Sequence, residues 1–331
     1  MRKRQSCYGA LASFKARLLK IRPTPPHIAG MAKTDAQQPE TGFDRLLHFT
    51  IPDRDCRGRV VRLGPVLDDI LAAHNYPPAL KHVLAEALVV TSLMGGLLKD
   101  REDQLTIQAQ TEGGVVDLLV CDYRQGELRG YMQYDRESFD ALGADPDLGQ
   151  LFGEGFLAIT FDINSNDQRY QGVVPLEGAS LAEAVEHYFA QSEQVPTLIR
   201  AAVRSGASGC IAGGFLIQHL PEGEEGRERL HVRLDHPEWE HVAILGGTLG
   251  QEELLQQDLS LETIVWRLYH EEREIRVEHG ERVVRGCRCT AVHFEEVLAR
   301  FPKADRREMS NEDGVIMVDC SFCSKQFPIQ D

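Results

Sequence analysis

Two short segments, Arg285-Gly286-Cys287-Arg288-Cys289 and Asp319-Cys320-Ser321-Phe322-Cys323, decide how this chain is read. A C-x-C and a C-x-x-C separated by thirty residues supply a complete set of four thiolates. Zn2+ takes four ligands with no geometric demand of its own, so two close thiol pairs satisfy it without a further donor. Cys287, Cys289, Cys320 and Cys323 are therefore expected to hold one zinc ion in the reduced protein. Two structural disulfides would use the same residues, but no secretory pattern accompanies them. Arg285 and Arg288 beside the C-x-C favour the thiolate. Zinc-bound thiolates open to solvent can be oxidised to disulfides with loss of the metal. Spacing leaves both a redox switch and a stabilising ribbon open.

The other four cysteines, Cys7, Cys56, Cys121 and Cys210, are scattered without ligand spacing, which suits a reducing cytoplasm. Cys121 and Cys210 read as small core residues. With 331 residues, 42% of them hydrophobic, the chain can bury a sizeable core and is expected to form two or three units. No apolar run reaches the length of a membrane helix, so no membrane partner is expected. The net charge of -15 opposes phosphate binding, so neither is nucleic acid.

Residues 1–42 run against this charge. The first thirty carry Arg2, Lys3, Arg4, Lys15, Arg17, Lys20 and Arg22 with no acid, and Pro23, Pro25 and Pro26 oppose packing. An organelle-type presequence, a basic arm or a start codon called too early would each give this composition; the early start before Met31, or a disordered extension, is the preferred reading.

Residues 43–221 read as a mixed α/β core. Helices are predicted over 66–75, ending at Pro77 and Pro78, over 79–99 and over 180–191. Strands are predicted over 104–110, 115–123, 127–134, 156–163, 170–176, 197–204 and 211–219. Strand-turn-strand order without βαβ alternation predicts a largely antiparallel sheet covered by helices. Gly206, Gly209, Gly213 and Gly214 lack the Lys-Ser or Lys-Thr of a phosphate loop and read as turns and close packing. Asp53, Asp55, Asp68, His48, His74 and His82 form no visible catalytic set, so no enzyme is expected.

Residues 222–286 carry sixteen acidic and eight basic side chains and read as a helical, metastable linker. Ser260 is placed to cap a helix running to about Glu272, with Leu261, Ile264, Val265 and Leu268 on one face; both tryptophans, Trp239 and Trp266, lie in this segment. Residues 287–331 are too few to build a core without metal. Ala291, Phe294, Leu298 and Phe301 predict one helix, Val315 and Met317 a short strand, and Phe322 and Phe327 a cover for the metal. His293 reads as a surface residue rather than a fifth ligand. The expected class is thus α+β: an N-terminal mixed, largely antiparallel sheet domain with helices, a helical connector and a small C-terminal zinc-binding domain.

The cysteine pattern, with Trp266-Arg267-Leu268-Tyr269-His270-Glu271-Glu272 upstream, resembles the bacterial 33-kilodalton heat-shock chaperonin family. Tyr188-Phe189, Gln191-Ser192-Glu193-Gln194, Pro196-Thr197, Ala212-Gly213-Gly214 and the Thr111-Glu112-Gly113-Gly114 turn carry the likeness further, from about Phe43 to Phe327. The basic extension and the short tail after Cys323 depart from it. The resemblance implies a redox-regulated holdase: reduced, zinc-bound and inactive; oxidised and active, with disulfides Cys287 to Cys289 and Cys320 to Cys323. It implies release of zinc, unfolding of the linker and C-terminal unit, binding of unfolding clients without ATP, dimerisation on activation, and later transfer to an ATP-driven foldase system. Two other classes compete. A nucleic-acid-binding zinc ribbon needs a basic face that residues 32–331 lack. A thiol-disulfide oxidoreductase needs its C-x-x-C opening a helix, whereas here it lies eight residues from the end.

Overall fold

The computed structural model describes residues 19–21, 42–100, 102–143, 145–164, 168–206, 209–220 and 236–330. The basic N-terminal residues, apart from 19–21, and the acidic residues 221–235 lie outside them. In chain order the first elements are β1 (Leu19–Ile21), β2 (Arg45–Ile51), β3 (Cys56–Leu63), α1 (Pro65–Leu71) and α2 (Pro78–Gly95). Then come β4 (Gln104–Glu112), β5 (Val116–Arg124), β6 (Glu127–Tyr134), α3 (Arg136–Asp140), α4 (Leu148–Phe152), β7 (Glu154–Ile163) and β8 (Gln168–Pro175). There follow α5 (Leu181–Tyr188), β9 (Thr197–Gly206), β10 (Gly209–His219), α6 (Pro237–Gly247), α7 (Gln251–Leu255) and α8 (Leu261–Tyr269). The chain closes with β11 (Ile275–Arg282), β12 (Val284–Arg285), α9 (Ala291–Leu298), α10 (Lys303–Met309), β13 (Val315–Asp319) and β14 (Gln326–Gln330).

Two six-stranded sheets form the body, ordered β1-β11-β2-β3-β10-β9 and β12-β6-β5-β4-β7-β8, with β13 and β14 as a separate hairpin. Among the described residues every pairing is antiparallel except β12 with β6. The predicted α+β class with mainly antiparallel sheets is what the chain adopts. Local signals set the helix limits: Pro78 stands in the first turn of α2, where no amide partner is needed, and Ser180 caps α5 by accepting from the Glu183 amide at 3.2 Å. After α5 the chain widens into one π-helical turn, 189–193, where a continued α-helix is predicted.

Helix α2 lies between the sheets, and its buried Leu84, Leu88, Val89 and Leu93 join residues of both in one core. On the first sheet, alternate side chains point to opposite cores: Leu46, Val61 and Leu216 toward α2, and Leu47, Val60, Phe215 and Ile217 toward a second core. That second core is completed by Trp239 and Val242 of α6, Leu254 and Leu255 of α7, Ile264, Val265 and Tyr269 of α8, and Ile275 and Val277 of β11. The first sheet is thus covered on both faces. On the second sheet only the face carrying Ile107, Leu119, Leu157 and Ile159 is sealed; Phe156 and Val173 on the other face stand 58% and 54% exposed. Gly213 and Gly214 let neighbours approach the first sheet closely: a Cβ at Gly213 would sit 2.5 Å from the Leu254 carbonyl oxygen, and one at Gly214 2.3 Å from Val89 Cγ1. Close packing, rather than a phosphate loop, accounts for them.

Two arginines, one buried and one part-exposed, grip the helices of the second core. Arg62 on β3, 1% exposed, donates to the carbonyls of Leu254 and Leu259, each at 2.8 Å. Arg54, in the turn after β2, donates to Glu272 at 3.0 Å and pairs with Glu238, while His241 lies 2.9 Å from the other Glu272 oxygen. Among the described residues, no helix is long and apolar enough to cross a membrane.

Candidate metal centre

Each cysteine pair is placed by a tight piece of backbone. Strand β12 lies beside β6, with Val284 opposite Glu127, and the Gly286 amide donates to the Leu128 carbonyl at 2.9 Å. A Cβ at Gly286 would fall 2.3 Å from that of Glu127, so only glycine lets the chain pass this close before Cys287. The second pair sits in the turn of the β13–β14 hairpin. There the Cys320 amide donates to the Lys325 carbonyl at 2.9 Å, the Ser324 amide donates to the Cys320 carbonyl at 2.8 Å, and Ser324 has φ 54°. Both thiols of this turn are buried.

The four sulfurs converge to within 4.8 Å of one another. Cys287 lies 3.2 Å from Cys289 and 3.6 Å from Cys320, and Cys289 lies 3.4 Å from Cys323. All four are free thiols, far beyond a disulfide bond length of about 2.05 Å. A tetrahedral thiolate set with metal–sulfur bonds near 2.3 Å has sulfurs about 3.8 Å apart, so slight expansion admits an ion. The donor set fits: four sulfurs can hold a metal and leave no open position for substrate. Among the described residues they form the one such cluster. His293 is exposed, its amide capped by Thr290 Oγ1 at 3.1 Å, and does not join them.

Burial disfavours the Cys287 thiolate, yet hydrogen bonds from the side chain and backbone of Cys289 and from the thiols of Cys323 and Cys320 outweigh it, drawing its pKa down to about 7. Burial and the same neighbours raise that of Cys289, and burial raises that of Cys320. Arg288 does not supply the charge expected of it: its guanidinium turns to the core, 3.0 Å from Gln104 Oε1 and 3.9 Å from Asp122. Elsewhere burial pushes Cys56 up to about 12 and Cys210 up to about 11, leaving both as inert core thiols; Cys7 lies outside the described residues. Protons compete with a metal for these sulfurs. The cluster keeps Cys287 ionised above pH 7, so metal affinity is expected to fall as pH drops through 7, by more than about tenfold per pH unit once several thiols must lose protons together. Competition between the protein and a chelator for Co2+, read by the thiolate absorption at pH 6, 7 and 8, checks this; a pH-independent ratio would refute it.

The remaining candidates scatter. Asp68 accepts from the Cys210 amide at 2.8 Å. His48 is held neutral, its pKa lowered to about 3 first by burial and then by Arg59. Asp53 pairs with Arg273. What sequence reasoning missed is how the cysteine unit meets the core. Phe322, between the paired cysteines, stands edge-on to Tyr131 of β6 with centroids 4.8 Å apart, under the Arg129 guanidinium at 4.0 Å. Ser324 Oγ lies 3.3 Å from His74 Nδ1, and Phe327 packs instead on Phe294 at 5.0 Å. No local pattern announces partners so far apart in the chain.

Fold and site together define a two-sheet α+β protein with a closed four-thiol centre docked beside its second sheet. The family model described as Hsp33 protein matches residues 44–330, and the chain belongs to that family. It is 36% identical over 300 residues to the 33 kDa chaperonin of Caulobacter vibrioides, covering 88% of this chain and 97% of that one. It is 37% identical over 290 residues to the 33 kDa chaperonin of Pseudomonas aeruginosa, covering 86% and 91%. The crystal structure of the 33 kDa chaperonin from Thermotoga maritima superposes with a TM-score of 0.72 at 22% identity, over 87% of this chain and 95% of that one, and shares its fold. The family is one of chaperones.

Proposed function

We propose that this chain is an ATP-independent holdase gated by oxidation, acting in the cytoplasm on proteins that unfold under oxidative and heat stress. In the reduced state Cys287, Cys289, Cys320 and Cys323 hold one Zn2+, which cross-links the two ends of residues 287–331. The convergence of four free thiols, within 4.8 Å, at the junction between that unit and the core carries this reading. Oxidation pairs Cys287 with Cys289 and Cys320 with Cys323, as in the resembling family. Each disulfide consumes one peroxide: two thiols give up two electrons and two protons, and the peroxide leaves as two waters. Without its thiolates the site cannot keep the ion, and residues 222–331 detach from the core 43–221.

The exposed surface is the second core of the fold, in which Trp239, Val242, Leu254, Ile264 and Tyr269 cover Phe49, Phe215 and Ile217. Its exposure offers unfolding clients a large apolar platform. The acidic linker keeps the open state in solution, and a second copy pairs with the first on activation. Clients pass to an ATP-driven foldase system when reducing conditions return.

The test is light scattering from a thermally unfolding client, with the zinc-loaded reduced protein compared with the protein treated with peroxide under mild heat. Suppression by the oxidised form alone, with one Zn2+ released per chain and both disulfides found by peptide mapping, is expected. Equal suppression by both forms would reduce the centre to a structural ribbon.

A further inference from the structure

The seat of Phe322 is one end of a row, apolar but for Gln108, that crosses the second sheet. Strand register places Tyr131 opposite Val120, Val120 opposite Gln108, Gln108 opposite Ala158, and Ala158 opposite Val173. These five side chains share the sheet face that no core seals. Phe156, one step along the strands, flanks the far end of the row at 58% exposure. At the near end the ring of Phe322 shows what the row accepts. An aromatic side chain there stacks edge-on against Tyr131 at 4.8 Å and receives the Arg129 guanidinium on its face at 4.0 Å. Arg129 is itself fixed by Asp122, through Nε at 2.8 Å and Nη2 at 2.5 Å, and Thr106 donates to the same carboxylate at 2.7 Å. The seat is therefore built by the core and does not depend on Phe322 for its shape.

We propose that the pocket formed by Tyr131 and Arg129 is an aromatic-binding subsite for extended segments of unfolding polypeptides, plugged in the resting state by Phe322. The inference rests on the proposed release of the cysteine unit and names one surface that this release uncovers. Once Phe322 leaves, a client Phe, Tyr or Trp takes its place, and neighbouring apolar side chains of the client lie along Val120, Ala158 and Val173. Because Phe322 stands between Cys320 and Cys323, loss of the hairpin's geometry and unplugging of the subsite are one event.

The probe is a fluorescein-labelled decapeptide of Thr, Gln and Ser with a single central Phe, alongside its Phe→Ala counterpart, tested against the full-length chain. Peroxide-activated protein is expected to bind the Phe peptide roughly tenfold more tightly than the Ala peptide, from the edge-on and cation–π contacts. Tyr131→Ala and Arg129→Gln are each expected to erase most of that preference. Phe322→Ala is expected to confer it on the reduced protein, without oxidation. A central benzoylphenylalanine is expected to cross-link to β5 or β6. Equal binding of the two peptides by the oxidised protein, or an unchanged preference in both core variants, would overturn the subsite. Capture of carboxymethylated α-lactalbumin separates the two readings. If the oxidised chain captures it but shows no Phe preference, the subsite alone fails; if it captures nothing, the holdase reading fails as well.

Discussion

Stripping the Zn2+ proposed for the four thiols from the reduced chain with a chelator is expected to unfold residues 287–330 while both large sheets persist. No residue of helices α9 and α10 is fully buried. The buried apolar residues after Cys287 are Ile316, Cys320, Cys323 and Ile329, two of them thiols of the centre. Such a segment has no core with which to offset the entropy of ordering its backbone, so the sulfur cluster has to act as one. Binding of a structural Zn2+ is worth on the order of ten kcal/mol or more, and in a unit this small it is folding free energy. Hydrogen exchange in 291–309 should rise to that of an unfolded chain on chelation, while 104–134 stays protected. Protection in α9 and α10 that survives verified loss of the ion would mean that contacts to the core, the Phe322 seat above all, suffice to hold the unit.

Replacing Arg62 with Met is expected to loosen the helical layer over the first sheet with the cysteines untouched. The guanidinium is buried, its pKa pulled down by that burial, and it binds the carbonyls of Leu254 in α7 and of Leu259 just before α8, each at 2.8 Å. Met keeps the apolar stem and leaves both carbonyls without their charged donor. Losing two charge-assisted bonds, and burying the acceptors unpaired, costs about 3–5 kcal/mol. Trp239, 8% exposed and stacked on His219, reports the change. Its emission should shift to the red at lower denaturant than in the parent chain, as a step ahead of the main transition. If the holdase reading is right, this variant also suppresses client aggregation in part while still reduced. A single transition at the parent midpoint would show that apolar packing alone holds the layer.

Much of the second sheet was legible because its strands obey a period of two. One face is sealed and one is wet, so Leu105, Ile107 and Ala109 alternate visibly with polar neighbours. Strands β2 and β3 were not, for the opposite reason: the first sheet is covered on both faces, and Leu46, Leu47, Val60 and Val61 are all buried. A strand buried on both sides loses its alternation, and Arg57, Arg59 and Arg62 interrupt the apolar pattern of β3, where no strand is predicted. Helix α8 was readable from Ser260 and its apolar stripe, whereas α6 and β11 were masked by their acids. The convergence of the four cysteines was legible, since residue type and spacing are local properties. Their mode of docking was not: the contacts of Phe322 with Tyr131 and of Arg288 with Gln104 join residues nearly two hundred positions apart.

The α+β class, the thiol set able to hold a metal, and the shortage of core in the last forty-five residues were written in neighbouring positions, as composition, period and ligand spacing. Long-range packing settled that the acidic segment from His236 onward lies over the first sheet, that Arg54 and Arg62 grip it, and that the cysteine hairpin rests on β6 through one aromatic ring. Those outcomes depend on which distant surfaces find complementary partners. Burial of Arg62 and the seating of Phe322 gain their free energy from groups that approach one another only once both sheets have formed.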